Sequence, residues 1–270
     1  MNQKSKSHGF FHNGIPFNRY GSGARPILIL QGLSFDNTPR ANTPLMFYGF
    51  LKKDFTVYVL LRKPGLPEGY SLKDMANDYA AVIKQEFGAP VDVLGVSTGG
   101  SIALHLAADH PALVRRLIIH SSAHQLTEEA DRMQLKIGAF ARQGKWKQAY
   151  TELVSFMNPP HGPLRIIGSV LIRLVPSLMA KNPPKYSTDV AVEVEAESQH
   201  HFKNRLAEIT APTLVIAGAL DPFYTPALYR ETAQGIPNSK LILYPKMRHP
   251  AFGRQFASDV LFFLNSEQVE

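Results

Sequence analysis

One stretch of this sequence, VDVLGVSTGG at residues 91–100, decides the fold. A short β-branched run ends there in the pattern Gly-x-Ser-x-Gly, and a helix-like segment follows it. This context predicts a strand, a sharp turn and a helix, with Ser97 held in the turn in a strained backbone conformation. A side chain at Gly95 or Gly99 would clash with such a turn.

The serine oxygen is pushed out at the end of the strand, and the next amide lies at the N-terminus of the new helix. The stretch therefore predicts a nucleophile beside one oxyanion donor.

Further apolar runs alternate with helical patterns along the rest of the chain. Strand candidates cover residues 26–30, 56–60, 117–119, 213–217 and 241–243, and a helix is expected over residues 100–110. Apolar strands that alternate with helices are typical of a parallel sheet buried on both faces. The sequence therefore predicts an α/β fold with a mostly parallel central sheet covered by helices on both faces.

Several segments carry a resemblance to a known family. They are residues 13–21, Gln31-Gly32, the serine turn, residues 212–218 with the Asp221 that follows, and Arg248-His249. On these segments the chain resembles the α/β-hydrolases along nearly its whole length, and the order serine, acid, histidine fits the serine-nucleophile, esterase-like and lipase-like branch. The resemblance implies an α/β-hydrolase core over residues 1–124 and 206–270, and a helical cap inserted after the sixth strand over residues 125–205.

The resemblance also implies which residues carry the chemistry. It assigns a catalytic triad to Ser97, Asp221 and His249, and an oxyanion hole to the backbone amides of Leu33 and Thr98. These residue types suit the reaction, because a serine hydroxyl is a poor nucleophile until a neighbouring base takes its proton. A histidine can act as that base since its ordinary pKa is near neutrality, and an aspartate would fix the imidazole tautomer.

Three further side chains are candidates for substrate contact. Many relatives carry His-Gly where this chain has Gln31-Gly32, and Gln31 is equally well explained as a buried structural glutamine. His120 and His124 follow a strand, and we expect them near the mouth of the pocket. No His, Asp and Glu residues have metal-ligand spacing and the chain has no cysteine, so we predict no metal and no cofactor.

The composition of the 270 residues is that of a globular protein without thiol chemistry. Residues 1–8 are polar and basic and lack the apolar segment of a signal peptide, and no apolar run reaches the roughly 20 residues of a membrane span. We therefore expect a cytoplasmic protein. The basic residues are not interleaved with aromatic residues in a recognisable binding motif, so we do not expect nucleic acid as a partner.

The positive charge of the chain is concentrated in the predicted cap. Residues 131–185 hold nine Lys or Arg and two acids, which equals the whole formal net charge of +7. An apolar helix is predicted over residues 164–175 and another helix over residues 187–206. Three interpretations stay open: a lid with solvated basic residues outside, a contact with an anionic or lipid interface through Arg165 and Arg173, and a dimer contact. The protein is accordingly expected to be a monomer or a homodimer.

Taken with the resemblance, these features predict a cofactor-independent serine hydrolase that cleaves a carboxylic ester of small to medium apolar substrates. A thioester, a lactone, an amide or a carbon–carbon bond would suit the same triad, as would acyl transfer to an alcohol. A slow-turnover ligand receptor that keeps the triad is an alternative from another class. These alternatives stay open because a fold does not determine a function.

Overall fold

The computed structural model describes residues 7–39, 47–157 and 174–266. An eight-stranded sheet forms its centre, with the strand order β1-β2-β4-β3-β5-β6-β7-β8. The strands are β1 (His8–Phe10), β2 (Pro16–Tyr20), β3 (Arg25–Leu30), β4 (Phe55–Leu60), β5 (Val91–Val96), β6 (Val114–His120), β7 (Thr213–Gly218) and β8 (Ser239–Tyr244). Strands β3 to β8 pair in parallel, whereas β1 and β2 pair antiparallel at one edge.

Helices lie on both faces of this sheet. They are α1 (Leu72–Val82), α2 (Thr98–Asp109), α3 (Glu128–Arg142), α4 (Trp146–Met157), α5 (Asp189–Ser198), α6 (Pro226–Gly235) and α7 (Arg254–Asn265). Short helical turns cover Gly49–Lys53, Ile83–Phe87, Pro111–Leu113 and Lys203–Glu208. One apolar cluster joins Val93 to Ile102 of α2, and another joins Leu94 to Phe256 of α7. Because neighbouring residues of β5 face opposite clusters, the predicted α/β fold with both sheet faces covered is confirmed.

The insertion between β6 and β7 contains helices α3, α4 and α5, and residues 174–179 are helical as well. Helices α3 and α5 pack closely, since a Cβ atom on Gly138 would lie 2.6 Å from a methyl group of Val194. The segment predicted as an apolar helix lies outside the described residues over 164–173, and Arg165 and Arg173 lie there too. Of the basic residues predicted on the outside, Arg132 and Lys136 form ion pairs with Glu128 and Glu152, and Arg142 pairs with Glu68 and Glu195.

One helix predicted in this insertion is present but shorter than predicted. The predicted helix over residues 187–206 is instead α5, which ends at Ser198, followed by a separate turn at Lys203–Glu208. The chain leaves the helix because the amide of Phe202 donates a hydrogen bond to the His124 carbonyl at 2.9 Å, which a continued helix would not allow. Within the described part of the chain, no helix combines the length and the apolar character needed to cross a membrane.

Candidate active site

Ser97 lies in the turn between β5 and α2, with φ +52° and ψ −128°. Positive φ is rare for a residue with a side chain, so this is the strained conformation that the motif predicts. The glycine at each side allows the turn to pack on neighbouring backbone. A Cβ atom on Gly99 would overlap the Leu30 carbonyl oxygen at the end of β3, and one on Gly95 would overlap the Gly99 carbonyl oxygen. The turn therefore contacts the end of the adjacent strand directly.

The loop that follows β3 also reaches the serine. A Cβ atom on Gly32 would lie 3.2 Å from the Cβ atom of Ser97, and Leu33 comes next in the chain. Thr98 is the first residue of α2, a position whose amide has no partner within the helix. Across the described residues, neither the Leu33 amide nor the Thr98 amide donates a hydrogen bond. Both N–H groups are therefore available to an acceptor beside the serine.

Asp221 and His249 are brought together from the ends of β7 and β8. The Nδ1 atom of His249 donates to Oδ2 of Asp221 at 2.7 Å. The proton on Nδ1 leaves Nε2 as the basic nitrogen of the ring. The other carboxylate oxygen of Asp221 accepts from the Phe223 amide at 2.8 Å. The acid is therefore fixed by the backbone and holds the imidazole in one tautomer.

Ser97 shares the carboxyl edge of the parallel sheet with this pair. Its hydroxyl makes no hydrogen bond to the imidazole among the described residues. Hydroxyl–imidazole hydrogen bonds of this type are often long before a substrate binds, and they shorten in the reactive complex. The arrangement thus contains a strained serine and an oriented histidine at one edge of the sheet, without a preformed bond between them.

Tyr229 is a member of the site that the sequence analysis missed. Its hydroxyl donates to Oδ2 of Asp221 at 2.7 Å, the same oxygen that accepts from His249. Burial, together with the Asp221 carboxylate, raises the pKa of Tyr229 well above its ordinary value, so the hydroxyl keeps its proton and remains a donor. No local sequence signal marks Tyr229, which lies on helix α6, eight residues after Asp221 in the chain.

The expectation that His120 and His124 contact substrate was wrong. Both side chains are buried and are bonded to protein groups. Nε2 of His120 donates to the Ala251 carbonyl at 2.7 Å, its Nδ1 accepts from the Tyr48 hydroxyl at 2.8 Å, and burial lowers its pKa to about 3. His124 bonds Thr232 through Nδ1 at 3.0 Å. Strand β6 continues to His120, which places this ring in the interior, where it holds the loop that carries His249.

A cavity of about 640 Å³ opens beside the serine turn. Its lining includes Gln31, Leu33, Val96 and Pro250, and of these Val96 and Pro250 are the chain neighbours of Ser97 and His249. Its walls are mainly apolar. The sheet contributes Ile29 and Val59, and the insertion contributes Tyr150, Leu153, Leu178 and Met179. Phe35 and Phe47 come from the connection between β3 and β4, and Leu61 follows β4. Gln31 lines this cavity, and its contact with substrate stays a prediction. Among the described residues, no group of three or more His, Cys, Asp or Glu could hold a metal ion.

A buried carboxyl group lies behind the serine turn and was also missed by the sequence analysis. Glu197 of α5 accepts a hydrogen bond from the Ser101 hydroxyl of α2 at 2.7 Å. Burial raises the pKa of Glu197 to about 7, although the nearby hydroxyls of Ser101 and Thr98 favour its charged form. Through its hydrogen bond with Ser101, Glu197 links the insertion to the helix that begins at the serine turn.

Comparison with known proteins places this chain in a family. The family model described as "Serine aminopeptidase, S33" matches residues 69–253. The chain belongs to this family of α/β-hydrolases. The resemblance inferred from the sequence motifs is thereby confirmed.

The individual proteins that this chain resembles share only low sequence identity with it. A pimeloyl-[acyl-carrier protein] methyl ester esterase of Neisseria meningitidis serogroup B is 26% identical over 179 residues, which cover 63% of this chain and 66% of that protein, slightly less than two thirds. The protein of the same name from Legionella pneumophila strain Paris is 24% identical over 88% of this chain and 92% of its own. The crystal structure of MGS-M2, an α/β-hydrolase from a Medee basin deep-sea metagenome library, superposes with a TM-score of 0.78 at 17% identity, covering 95% and 96% of the two chains.

The raised pKa of Glu197 predicts a measurable effect on stability. The folded protein binds the proton of this group up to about pH 7, whereas the unfolded chain releases it near the ordinary value of 4.5. This group therefore lowers the free energy of unfolding progressively as the pH rises from 4.5 to 7. We expect the Glu197→Gln variant to gain stability relative to the wild type across that range, by a few kcal/mol at most, in urea unfolding at a series of pH values.

The matched control is Glu195→Gln, which makes the same chemical change at a partly exposed position of the same helix. It measures the effect of removing a carboxylate from this helix outside the core. A stability difference for Glu197→Gln that does not change between pH 4.5 and 7 would show that burial does not alter the ionisation of this carboxyl.

Proposed function

We propose that this protein is a serine hydrolase that cleaves carboxylic esters of small to medium apolar substrates through an acyl-enzyme on Ser97. The observation that carries the proposal is the 2.7 Å hydrogen bond from His249 to Asp221 at the sheet edge where Ser97 has a φ of +52°. An oriented imidazole is of use to a hydrolase when a nucleophile is presented beside it. The names of the Neisseria and Legionella relatives, both methyl ester esterases, support an ester as the bond cleaved.

In the proposed mechanism, the Ser97 oxygen attacks the ester carbonyl while Nε2 of His249 takes its proton. Asp221 stabilises the imidazolium that forms, and the amides of Leu33 and Thr98 bind the oxyanion. The imidazolium then protonates the leaving alcohol, and the acyl group stays on the serine. Water, activated by the same histidine, releases the acid and restores the enzyme.

The cavity supports an apolar acyl or alcohol group as the substrate's larger part. It extends from Val96 on β5 across β3 to Val59 on β4, and most of its lining is hydrocarbon. Tyr150 and Leu153 of α4 and Leu178 and Met179 further along the insertion cover it. These contacts support the role of a cap for the insertion over residues 125–205.

Replacement of Ser97 tests the proposed nucleophile. The Ser97→Ala variant should retain its fold and lose turnover of p-nitrophenyl esters by at least about 10⁴-fold, because no other group can form the acyl-enzyme. It should also lose covalent labelling by a fluorophosphonate, measured by mass spectrometry. Ser187→Ala, at an exposed serine, is the control and should keep both activities. Ester turnover that survives in Ser97→Ala would refute the proposal.

The role of Tyr229 is tested by removing only its hydroxyl. In Tyr229→Phe, Asp221 loses one of its three donors, and the imidazole is oriented less well. We expect kcat to fall about tenfold with KM little changed, since a hydrogen bond to a charged group contributes about 1.5–3 kcal/mol. Tyr186→Phe, at an exposed tyrosine, should have the wild-type kcat. An unchanged kcat in Tyr229→Phe would mean that the two remaining donors suffice.

The assignment of the cavity predicts a change in substrate length preference. Val59→Phe should shorten the cavity at the strand farther from Ser97, so that kcat/KM for octanoyl esters falls at least about tenfold relative to acetyl esters. The reason is that each methylene excluded from an apolar site loses about 0.8 kcal/mol. Val59→Ala, which makes this side chain smaller and the cavity larger, should keep the preference for the longer chain. If kcat/KM depends on acyl chain length in the same way in the two variants, the acyl group binds elsewhere.

A further inference from the structure

Three acidic side chains of helix α5 point into the protein. Asp189, Glu193 and Glu197 are spaced by four residues, which puts them on one face of the helix, and all three are buried. Glu195 of the same helix is instead partly exposed and forms an ion pair with Arg142. Burying carboxyl groups is costly unless they are bonded, so each of the three needs a specific partner in the core.

Glu193 finds its partner in Arg62, in the segment that follows β4. Oε1 of Glu193 accepts from Nη2 of Arg62 at 2.7 Å, and both side chains are 0% exposed. The same guanidinium donates to the Tyr79 hydroxyl at 3.1 Å and to the backbone carbonyl of Gln31 at 2.7 Å. Arg62 therefore connects the insertion to the peptide that precedes Gly32, at the start of the loop that carries Leu33.

The same loop is held at further points by α5. The Ser34 amide is close enough to Glu193 to favour its charged form, which opposes the rise in pKa that burial causes. Asp189 accepts from Nδ2 of Asn37 at 3.3 Å, and Oδ1 of Asn37 accepts from the Arg62 amide at 3.2 Å. Residues 31–37 are thus attached to α5 and to Arg62 on both sides of Leu33.

The Gln31 carbonyl also contacts the serine turn. A Cβ atom on Gly99 would lie 2.5 Å from this oxygen, so the carbonyl is held between the turn and the Arg62 guanidinium. A shift of the Gln31 peptide would therefore change the position of the Leu33 amide relative to Ser97. The bond from Arg62 opposes such a shift.

Stability alone does not explain a buried ion pair of this type. Desolvation of the two charges offsets much of their attraction, and apolar residues of similar volume are often equally stabilising in their place. A planar guanidinium with several donors, in contrast, fixes the relative positions of three acceptors at once, here Glu193, Tyr79 and Gln31. The arrangement is suited to holding a geometry.

We propose that Glu193 and Arg62 are positioning residues that hold the loop after β3 so that the Leu33 amide is aimed at the oxyanion formed on Ser97. This inference rests on the proposed function, because it assigns the geometry of one of its two oxyanion donors to the insertion. The pair contacts no substrate and acts through the Gln31 carbonyl.

The test compares Glu193→Gln and Arg62→Lys with Glu195→Gln as the matched control. Glu193→Gln removes the charge that holds the guanidinium, and Arg62→Lys keeps a charge but loses the planar group that bonds three acceptors. We expect kcat for a p-nitrophenyl ester to fall about 10- to 100-fold in both variants with KM within about twofold, because the oxyanion is bound only after attack. Fluorophosphonate labelling of Ser97 should slow in parallel, while Glu195→Gln matches the wild type.

The possible outcomes separate the positioning role from a structural one and from the proposed function itself. A kcat for folded Glu193→Gln equal to that of Glu195→Gln, or a loss that only follows the unfolded fraction measured by circular dichroism, would overturn the positioning role. If neither Glu193→Gln nor Arg62→Lys folds, the pair serves general stability and the inference is rejected. Absence of labelling at Ser97 in the wild type would instead refute the proposed function.

Discussion

The site depends on the close approach of three backbone segments around Ser97. The turn after β5 lies against the end of β3 because Gly99 has no side chain, and the loop after β3 lies against Ser97 because Gly32 has none. Strands β3 and β5 are parallel neighbours, so both connections leave the sheet at the same edge. The close packing of the surrounding backbone stabilises the positive φ of Ser97. The turn with Ser97 and the loop with Leu33 therefore form a single packed unit.

The acid and the histidine are attached to the fold in a different way, by side chains of neighbouring elements. Asp221 is held by the Phe223 amide and the Tyr229 hydroxyl. The loop of His249 is held two residues later, where the Ala251 carbonyl accepts from His120 and the Ala251 amide donates to the Ser121 hydroxyl at 3.1 Å. Burial keeps His120 neutral, so this support does not depend on pH in the neutral range. Groups held in this way need little rearrangement in a reaction, which is the condition for electrostatic stabilisation of a transition state.

Local sequence patterns predicted the parts of this arrangement that depend on local backbone, which are the turn at Ser97 and the alternation of strands and helices. The candidate residues after β7 and β8 came instead from the resemblance to the α/β-hydrolases. Parts that depend on distant partners left no local signal. Arg62 and Glu193 are 131 residues apart, and Tyr229 is marked only by its contact with Asp221. His120 was misassigned because strand β6 extends past the apolar run that predicted it, and a histidine at a strand end does not reveal whether it faces a pocket or the core.

The insertion lines the cavity and also contributes buried acids to the core, and the packing of its helices connects these two parts. Helix α4 contributes Tyr150 and Leu153 to the cavity, while α5 provides the acids that bond to Arg62 and Ser101. Helix α3 lies between them and packs on α5 so closely that Gly138 leaves no space for a side chain. Closely packed helices move together, since their contacts do not deform gradually. With the positioning role proposed for Glu193, a substrate that displaces α4 would also act on the loop of Leu33. The insertion would then affect the chemical step as well as the shape of the cavity.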